Sequence, residues 1–224
     1  MRTLNDLKKR PLDNSLGLTE RIHNSEECPD SEFIKIVSSR RRFHVKQHYT
    51  RTEDGYVIAL FNVKLVEAEF AKLSECQKKN RNRPVVIMHG LFSDAEIGLN
   101  NRHPDKSFSY HLINSGFDVW FPSNRGSKYS LTHDPIIGDK EFFDFSFEQL
   151  GLYDVPAVYQ YILGQDPYKN IPNQKIIYIG HSQGTTQMFV SLADEKTKDY
   201  VRAHTERFFA FAPVVYMTKV RDGA

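Results

Sequence analysis

The sequence is poor in cysteine, in long apolar runs and in net charge. Two cysteines, Cys28 and Cys76, occur in 224 residues, and their spacing predicts neither a zinc site nor a disulfide framework. No apolar run approaches the roughly 18 residues that a transmembrane helix requires, so no integral membrane segment is expected. The formal net charge of +2 is too small to indicate nucleic-acid binding.

The first thirty residues are polar and charged, and they lack the apolar stretch of a secretory signal peptide. We therefore expect an irregular arm over residues 1–30, a chain that starts inside the cell, and a folded domain over residues 31–224. The composition supports such a domain, because 40% of the residues are apolar and phenylalanine and tyrosine are plentiful, unlike the composition of disordered chains.

An antiparallel hairpin is predicted at the start of the domain. The turn Glu53-Asp54-Gly55 separates two β-prone runs, and its glycine accepts a positive φ. Further strands are predicted at 84–88, 117–121, 175–179 and 208–215, and helices at 31–39, 105–114, 147–163 (kinked or restarted near Pro156) and 183–194. Residues 67–83 are interpreted as a charged surface insertion, and residues 122–141 as a long irregular connection.

The strands after the hairpin are continuous apolar runs without alternation, and they alternate with helices along the chain. Such runs are typical of strands that are buried on both faces of a parallel sheet. The sequence therefore predicts an α/β fold with a mostly parallel sheet of about six strands and helices on both faces.

The motif with chemical meaning is Gly180-His181-Ser182-Gln183-Gly184, which follows a predicted strand and precedes a predicted helix. This is the setting of a nucleophile elbow, a strained turn that holds a serine hydroxyl above the sheet. The two glycines allow the strand and the helix to approach without a Cβ clash. The pattern predicts Ser182 as a catalytic nucleophile.

Acyl transfer also needs two donors for the oxyanion of the tetrahedral intermediate. In this kind of fold one donor is the N–H after the nucleophile, here Gln183, and the second comes from the loop after an earlier strand. His89-Gly90-Leu91 stands at that place, and we assign the second donor to the N–H of Leu91. The alternative is that His89-Gly90 forms a plain strand-ending turn.

Several segments in series resemble one known family. They are 52–56, His89-Gly90-Leu91, 116–120, Asn124-Arg125-Gly126, 143–146, 153–157, 180–186 and 209–214. In this order they look like the N-terminal portion of the acid lipase family of the α/β-hydrolase superfamily, which includes gastric and lysosomal acid lipases. The similarity spans roughly residues 28–219; within it, residues 67–83 look longer and more charged than the family's loop.

The resemblance implies an α/β-hydrolase fold and hydrolysis of lipid carboxylic esters, such as triacylglycerols or sterol esters, at a lipid–water interface. It implies a serine acyl-enzyme mechanism without a metal or an organic cofactor, and a family that is mostly secreted or lysosomal. Family members continue beyond the counterpart of Ala224 with a lid and the acid and histidine of the triad. We therefore expect a C-terminally incomplete domain that lacks the triad Asp and His and is inactive alone.

The residues after Ser182 support that expectation. In α/β-hydrolases the triad runs serine, acid, histidine along the chain, and His204 is the only histidine that follows Ser182. We expect His204 on the flank of the sheet, and the acids Asp194, Asp199 and Asp222 without a histidine to orient. His181 precedes the serine and is expected to shape the pocket.

Other interpretations stay open at this point. His44 and His48 share a strand face, but no third ligand is placed to complete a metal site. A cluster of four phenylalanines has two interpretations, the lining of an acyl pocket or packing in the core. Its members are Phe142, Phe143, Phe145 and Phe147. For the whole chain, the alternatives are a non-catalytic lipid- or partner-binding protein and an esterase or acyltransferase for other acyl groups.

Overall fold

A computed structural model describes residues 31–99 and 106–215 of this chain. The strands are β1 Phe43–Arg51, β2 Tyr56–Leu65, β3 Pro84–Met88, β4 Asp118–Ser123, β5 Thr132–His133, β6 Ile176–His181 and β7 Thr205–Phe211. They form a single sheet in the order β1-β2-β4-β3-β6-β7, and β5 pairs with β2 outside that path.

Strand direction divides the sheet into an antiparallel start and a parallel remainder. β2 is antiparallel to β1, β4 and β5, whereas β3 is parallel to β4 and β6, and β6 is parallel to β7. Among the described strands, β2 therefore runs against all the others. The predicted hairpin and the predicted mostly parallel sheet are both confirmed.

The α-helices of the described residues are short and connect these strands. They are α1 Glu32–Ser38, α2 Glu67–Phe70, α3 Glu75–Lys78, α4 Phe108–Asn114, α5 Asp139–Phe142, α6 Phe147–Gln149, α7 Val155–Leu163, α8 Gln183–Ala193 and α9 Lys198–His204. In the part of the chain that the structure describes, no helix has the length and apolar character to cross a bilayer.

Successive residues of a strand point to opposite faces of the sheet, and helices cover the apolar side chains on both faces. Phe61 of β2 stacks on Phe33 of α1 with ring centroids 4.2 Å apart. Leu60, its neighbour in the strand, belongs to the core on the other face together with Val158 of α7 and Met188 of α8. β2 and β4 are thus buried on both sides; for β4 this confirms the prediction from its apolar run.

The hairpin turn depends on Gly55, whose φ is +95°. A Cβ at this position would stand 2.6 Å from Cε1 of His133, so a side chain would be strained and would collide with β5. The strands pair from Arg51 opposite Val57 onward. The prediction of a glycine turn is therefore confirmed.

Two elements differ from the sequence prediction. β7 runs over Thr205–Phe211 and not over 208–215. β5 lies within the connection that was predicted to be irregular; its two residues are too few to show a periodicity. The predicted restart of the 147–163 helix near Pro156 is confirmed, because a π turn, Leu150–Asp154, separates α6 from α7, which begins at Val155. Pro156 stands in the first turn of α7, where its missing N–H costs no hydrogen bond.

Two predictions extend beyond the described residues. The arm over residues 1–30, with Cys28, lies outside them, as does Asp105 at the predicted start of a helix. The helix itself, α4, runs over Phe108–Asn114. Gly116 follows it with a φ of +87°, which agrees with the predicted stop.

β1 alternates apolar residues with polar ones, and His48 falls among the polar ones, yet only 7% of its surface is exposed. α7 covers this side of β1, and Nδ1 of His48 lies 2.9 Å from the hydroxyl of Tyr161. The ring also packs on Trp120. Burial, assisted by the charges of Lys46, Lys64 and His44, lowers the pKa of His48 to about 4.

We predict that His48 makes stability sensitive to mild acid. Because its pKa is lower in the folded state than in the unfolded chain, its contribution is complete above pH 6.5 and is lost as the pH falls toward 4. The loss reaches about 3 kcal/mol. Urea unfolding at pH 7 and at pH 4.5 should show a smaller drop for His48→Asn than for the unmodified chain. Equal drops in the two proteins would contradict this assignment.

Candidate active site

The candidate site lies where the carboxyl ends of the central strands meet. Met88, the last residue of β3, pairs with Gly180 near the end of β6. The loop after β3 and the turn after β6 are therefore neighbours in space, although they are far apart in sequence. Ligand sites of α/β proteins occur at this edge.

Ser182 occupies the turn between β6 and α8 with φ +52° and ψ −119°. Positive φ is costly for a residue with a side chain, and strain of this kind is found at functional sites. The predicted strained strand-to-helix turn is confirmed by these dihedrals. The turn holds the serine at the N-terminus of α8, where the helix dipole favours negative charge.

The glycines on either side of Ser182 allow this turn. A Cβ on Gly180 would stand 2.6 Å from the carbonyl oxygen of Gly184, and a Cβ on Gly184 would stand 2.5 Å from the carbonyl oxygen of Met88. Both distances are too short for real contacts, and both partners are backbone atoms. Strand, helix and the end of β3 thus pack together because neither glycine has a side chain.

The loop after β3 lies directly against the serine. A Cβ on Gly90 would meet the Cβ of Ser182 at 3.0 Å and Nδ1 of His181 at 3.3 Å. The next residues, Leu91 and Phe92, are 57% and 98% exposed, and Phe92 has a φ of +57°. The structure therefore brings together the segments that the sequence predicted to carry the nucleophile and the second oxyanion donor.

The amides around Ser182 have different roles in the fold. The N–H of Ser182 itself donates to the carbonyl oxygen of Phe211 at 3.0 Å, which ties the turn to the end of β7. Gln183 begins α8, and the first N–H groups of a helix have no acceptor within it. The assignment of Gln183 and Leu91 as oxyanion donors stays a prediction.

His89 is buried behind this loop, with 4% of its surface exposed. Its Nδ1 lies 2.8 Å from the carbonyl oxygen of Gly90, and the N–H of Asn124 donates to its Nε2 at 3.0 Å. Burial lowers the pKa of His89 to about 4, so the ring is neutral at neutral pH. Its two ring nitrogens are both engaged, and His89 is not free to serve as a base for Ser182.

A buried ion cluster stands beside the site, and the sequence prediction missed it as a unit. The guanidinium of Arg125 donates from Nε and Nη2 to Asp154 at 2.9 and 2.6 Å and from Nη1 to Asp54 at 2.6 Å. It also lies 3.9 Å from the centroid of the Tyr56 ring. The side chains of Arg125 and Asp154 are 0% and 1% exposed.

Charge balance explains why this cluster tolerates burial. Burial lowers the pKa of Arg125, but Asp154 and Asp54 outweigh that effect and raise the pKa above its ordinary value. Burial raises the pKa of Asp154 to about 6 against the attraction of Arg125, so both groups are charged at neutral pH. The available sequence signal was three charged residues inside segments that resemble the family, namely 52–56, 124–126 and 153–157.

The structure separates His204 from Ser182, as predicted. β6 and β7 are parallel, with Ile176 opposite Thr205 and His181 opposite Phe211. His204 precedes β7 and therefore lies at the amino end of these strands, about 20 Å from Ser182 at the carboxyl end. Its Nδ1 lies 2.8 Å from the carbonyl oxygen of Tyr200, which holds the ring against α9.

Two of the three acids named after Ser182 lie in or beside helices and not at the turn. Asp194 ends α8 and accepts from the N–H of Lys196 at 2.9 Å. Asp199 lies in the first turn of α9 and is exposed. Asp222 lies outside the described residues.

The remaining predictions concern aromatic and histidine side chains. Phe142 is buried in the core with Tyr56 and accepts the Tyr56 hydroxyl on its carbonyl oxygen at 2.6 Å. Phe145 packs against Gly126, where an added Cβ would meet its ring at 2.9 Å. These contacts favour core packing for Phe142 and Phe145, whereas Phe143 is 48% exposed. Within residues 31–99 and 106–215, His44 and His48 belong to no group of three metal-ligating side chains.

A groove of about 470 Å³ opens elsewhere on the surface, between the hairpin turn and α7. Its walls include Arg51, Glu53, Tyr153 and Gln160. Neither Ser182 nor the loop after β3 lines it, so it is not part of the candidate site.

Comparison with known families gives two matches. Residues 83–205 match the model described as the alpha/beta hydrolase fold. Residues 34–101 match the model described as a partial alpha/beta-hydrolase lipase region. Together the two matches include the loop after β3, the elbow and most of the sheet.

Individual relatives carry lipase names. The chain is 31% identical over 214 residues to lipase member M of Mus musculus, which covers 92% of this chain and 47% of the mouse protein. It is 34% identical over 175 residues to triacylglycerol lipase 1 of Arabidopsis thaliana, and the match covers 78% of this chain and 39% of the plant protein. It is 33% identical over 191 residues to a probable lipase of Schizosaccharomyces pombe, and the match covers 84% of this chain and 39% of the yeast protein. The chain thus spans less than half the length of these relatives.

Proposed function

This chain belongs to the α/β-hydrolase fold family, in its lipase branch, and from that membership we propose that it supplies the nucleophile and the oxyanion donors of a lipid carboxylic-ester hydrolase. The predicted fold class and the predicted resemblance to the acid lipase family are confirmed by the same matches.

The observation that carries the proposal is the strained turn at Ser182, with φ +52°, packed against Gly90. In the proposed mechanism, Oγ of Ser182 attacks the ester carbonyl, and the alcohol leaves as the acyl-enzyme forms. The N–H groups of Leu91 and Gln183 hold the oxyanion of the tetrahedral intermediate. Each such donor is worth about 3 kcal/mol of barrier reduction.

Apolar side chains around Ser182 support a lipid substrate. Leu91 and Phe92 extend from the neighbouring loop into solvent. Phe211, whose carbonyl oxygen binds the Ser182 N–H, is 48% exposed and meets the ring of Phe108 edge-on at 5.7 Å. Exposed apolar patches of this kind mark binding surfaces, and this one fits the acyl chain of a triacylglycerol or a sterol ester at a lipid–water interface.

We propose that the described residues supply no general base for Ser182. A serine hydroxyl is a weak nucleophile at neutral pH unless a base removes its proton. His204 lies at the far end of the strands, and both ring nitrogens of His89 are engaged. We therefore propose that the 224-residue chain turns over esters only faintly.

The test is hydrolysis of p-nitrophenyl butyrate by the 224-residue chain, together with labelling by a fluorophosphonate probe. We expect a faint rate, of the size that oxyanion stabilisation alone provides, about 10³–10⁴-fold over water. Ser182→Ala should leave it almost unchanged, and His204→Ala is the matched control with the same outcome. Robust turnover that Ser182→Ala abolishes would contradict the missing base, and a loss on His204→Ala would identify that base.

A longer version of the chain that adds an acid and a histidine after Ser182 tests the nucleophile directly. Its turnover should fall by about 10⁶-fold on Ser182→Ala, as in other serine hydrolases. Turnover that survives this substitution would overturn the role of Ser182. The second candidate, a non-catalytic lipid- or partner-binding protein, is favoured by the position of His204, and it predicts no Ser182-dependent turnover in either version.

A further inference from the structure

We propose that His89 is a positioning residue that sets the direction in which the N–H of Leu91 points. Its consequence for catalysis rests on the proposed function, in which this N–H binds the oxyanion. The orientation itself is a property of the fold and can be tested without any turnover.

The partners of His89 allow one form of the ring. The carbonyl oxygen of Gly90 can only accept, so Nδ1, 2.8 Å away, carries the proton and donates it. The backbone N–H of Asn124 can only donate, so Nε2, 3.0 Å away, is bare and accepts. A buried ring with one donor and one acceptor committed in this way cannot exchange its tautomer without breaking both bonds.

The bond to Gly90 reaches the oxyanion donor through the peptide unit itself. The carbonyl of Gly90 and the N–H of Leu91 belong to one planar trans peptide, so they point in opposite directions. A hydrogen bond that holds this oxygen toward His89 therefore also holds the N–H on the opposite side. Glycine alone gives the peptide little restraint, because its backbone dihedrals are free.

A side chain at position 90 would crowd Ser182. An added Cβ would stand 3.0 Å from the Cβ of Ser182, so the loop or the turn would have to move apart to accommodate it. The structure thus combines a flexible residue beside the nucleophile with an external anchor. His89 is that anchor.

The anchor is itself attached to a rigid part of the molecule. Asn124, which donates to Nε2 of His89, is followed by Arg125 in the buried ion cluster. The backbone N–H of Arg125 donates to Asp154 at 3.4 Å, and its guanidinium bonds the same carboxylate. A continuous chain of bonds therefore runs from the ion cluster through Asn124 and His89 to the peptide above Ser182.

Two substitutions distinguish the two hydrogen bonds of His89, because each variant keeps one of them and removes the other. In His89→Asn the side-chain amide lies at the distance of Nδ1 and can still donate to the Gly90 carbonyl. In His89→Gln the amide lies at the distance of Nε2, so it can accept from Asn124 but leaves the Gly90 carbonyl without its donor. Crystal structures of the 224-residue chain and both variants report the orientation of the Gly90–Leu91 peptide.

We expect His89→Asn to keep the orientation found in the unmodified chain and His89→Gln to lose it. In p-nitrophenyl butyrate hydrolysis, kcat should fall by about 10²-fold in His89→Gln, the lower range for the loss of one oxyanion donor. KM should stay nearly constant, and His89→Asn should restore most of kcat. A general loss of structure would lower both variants alike and would not produce this split.

The outcomes distinguish this inference from the proposed function. An unchanged peptide in His89→Gln, or equal losses of kcat in both variants, overturns the role of His89. If a longer version with an acid and a histidine after Ser182 shows no Ser182-dependent turnover, the proposed function fails, and the peptide orientations still decide the role of His89. Should a variant not fold, ¹⁵N NMR of the unmodified ring decides it: a proton on Nε2 instead of Nδ1 at neutral pH refutes the proposal.

Discussion

Replacement of Arg125 by leucine should lower the free energy of unfolding by about 3–5 kcal/mol, the cost of removing one partner of a buried ion pair. Asp154, whose side chain is 1% exposed, would lose the counter-charge that holds its pKa down, so its buried carboxyl would take up a proton or stay charged without a partner. The substitution also removes the guanidinium from the face of Tyr56. Urea unfolding at pH 7, followed by circular dichroism, measures the loss.

Two control variants test the reason for that loss. Asp54→Asn should cost only about 1 kcal/mol, because the Asp54 side chain is 26% exposed and water can replace part of its bond to Arg125. The double variant Arg125→Leu/Asp154→Leu should recover at least half of the loss, since an apolar pair can replace a buried ion pair without large cost. An Arg125→Leu variant as stable as the unmodified chain would refute the ion-pair argument.

Gly184→Ala should lower the free energy of unfolding by about 3 kcal/mol, the upper end of overpacking costs. The new Cβ would stand 2.5 Å from the carbonyl oxygen of Met88 and 2.9 Å from that of His89. Backbone atoms cannot rotate away as a side chain can, so α8 or the end of β3 must shift. The shift displaces Ser182 from Gly90, and thermal unfolding combined with a crystal structure would reveal both effects.

Gly138→Ala is the matched control for this prediction. The nearest atom to its new Cβ is Oε2 of Glu141 at 3.6 Å, an ordinary contact, and Gly138 has a φ of −69° that alanine adopts readily. This substitution should leave stability unchanged or raise it by about 0.4–1 kcal/mol. If Gly184→Ala changes the stability no more than Gly138→Ala does, then α8 does not need a glycine at position 184.

The features that could be read from the amino-acid order are those with local causes. The hairpin at Gly55 follows from the need for a residue that accepts φ +95°, and the same argument applies to the helix stop at Gly116. The buried strands follow from continuous apolar runs. The turn at Ser182 follows from two glycines at fixed spacing between an apolar run and a helix, because each acts on atoms only a few residues away.

The bounds of β7 and the existence of β5 could not be predicted from the local sequence. β7 begins at Thr205 because it pairs with β6, and the residues 205–207 are polar and show no strand pattern of their own. β5 consists of two residues whose extended form comes from pairing with Tyr56 and Val57 of β2. A pairing partner far away in the chain leaves no trace in local composition.

The burial of polar groups also depends on residues that are distant in the sequence. His48 lies in a strand that alternates like a half-exposed one, and α7 covers it from more than 100 residues away. Arg125 meets Asp54 and Asp154 across 71 and 29 residues, so no window of sequence contains the cluster. Local sterics therefore specified the hairpin turn and the turn at Ser182, and continuous apolar runs specified the buried strands. Charge pairing, the burial of polar groups and the anchoring of the loop at Gly90 arose when distant segments packed together, because a charge or an imidazole takes its role from the partners that the fold places around it.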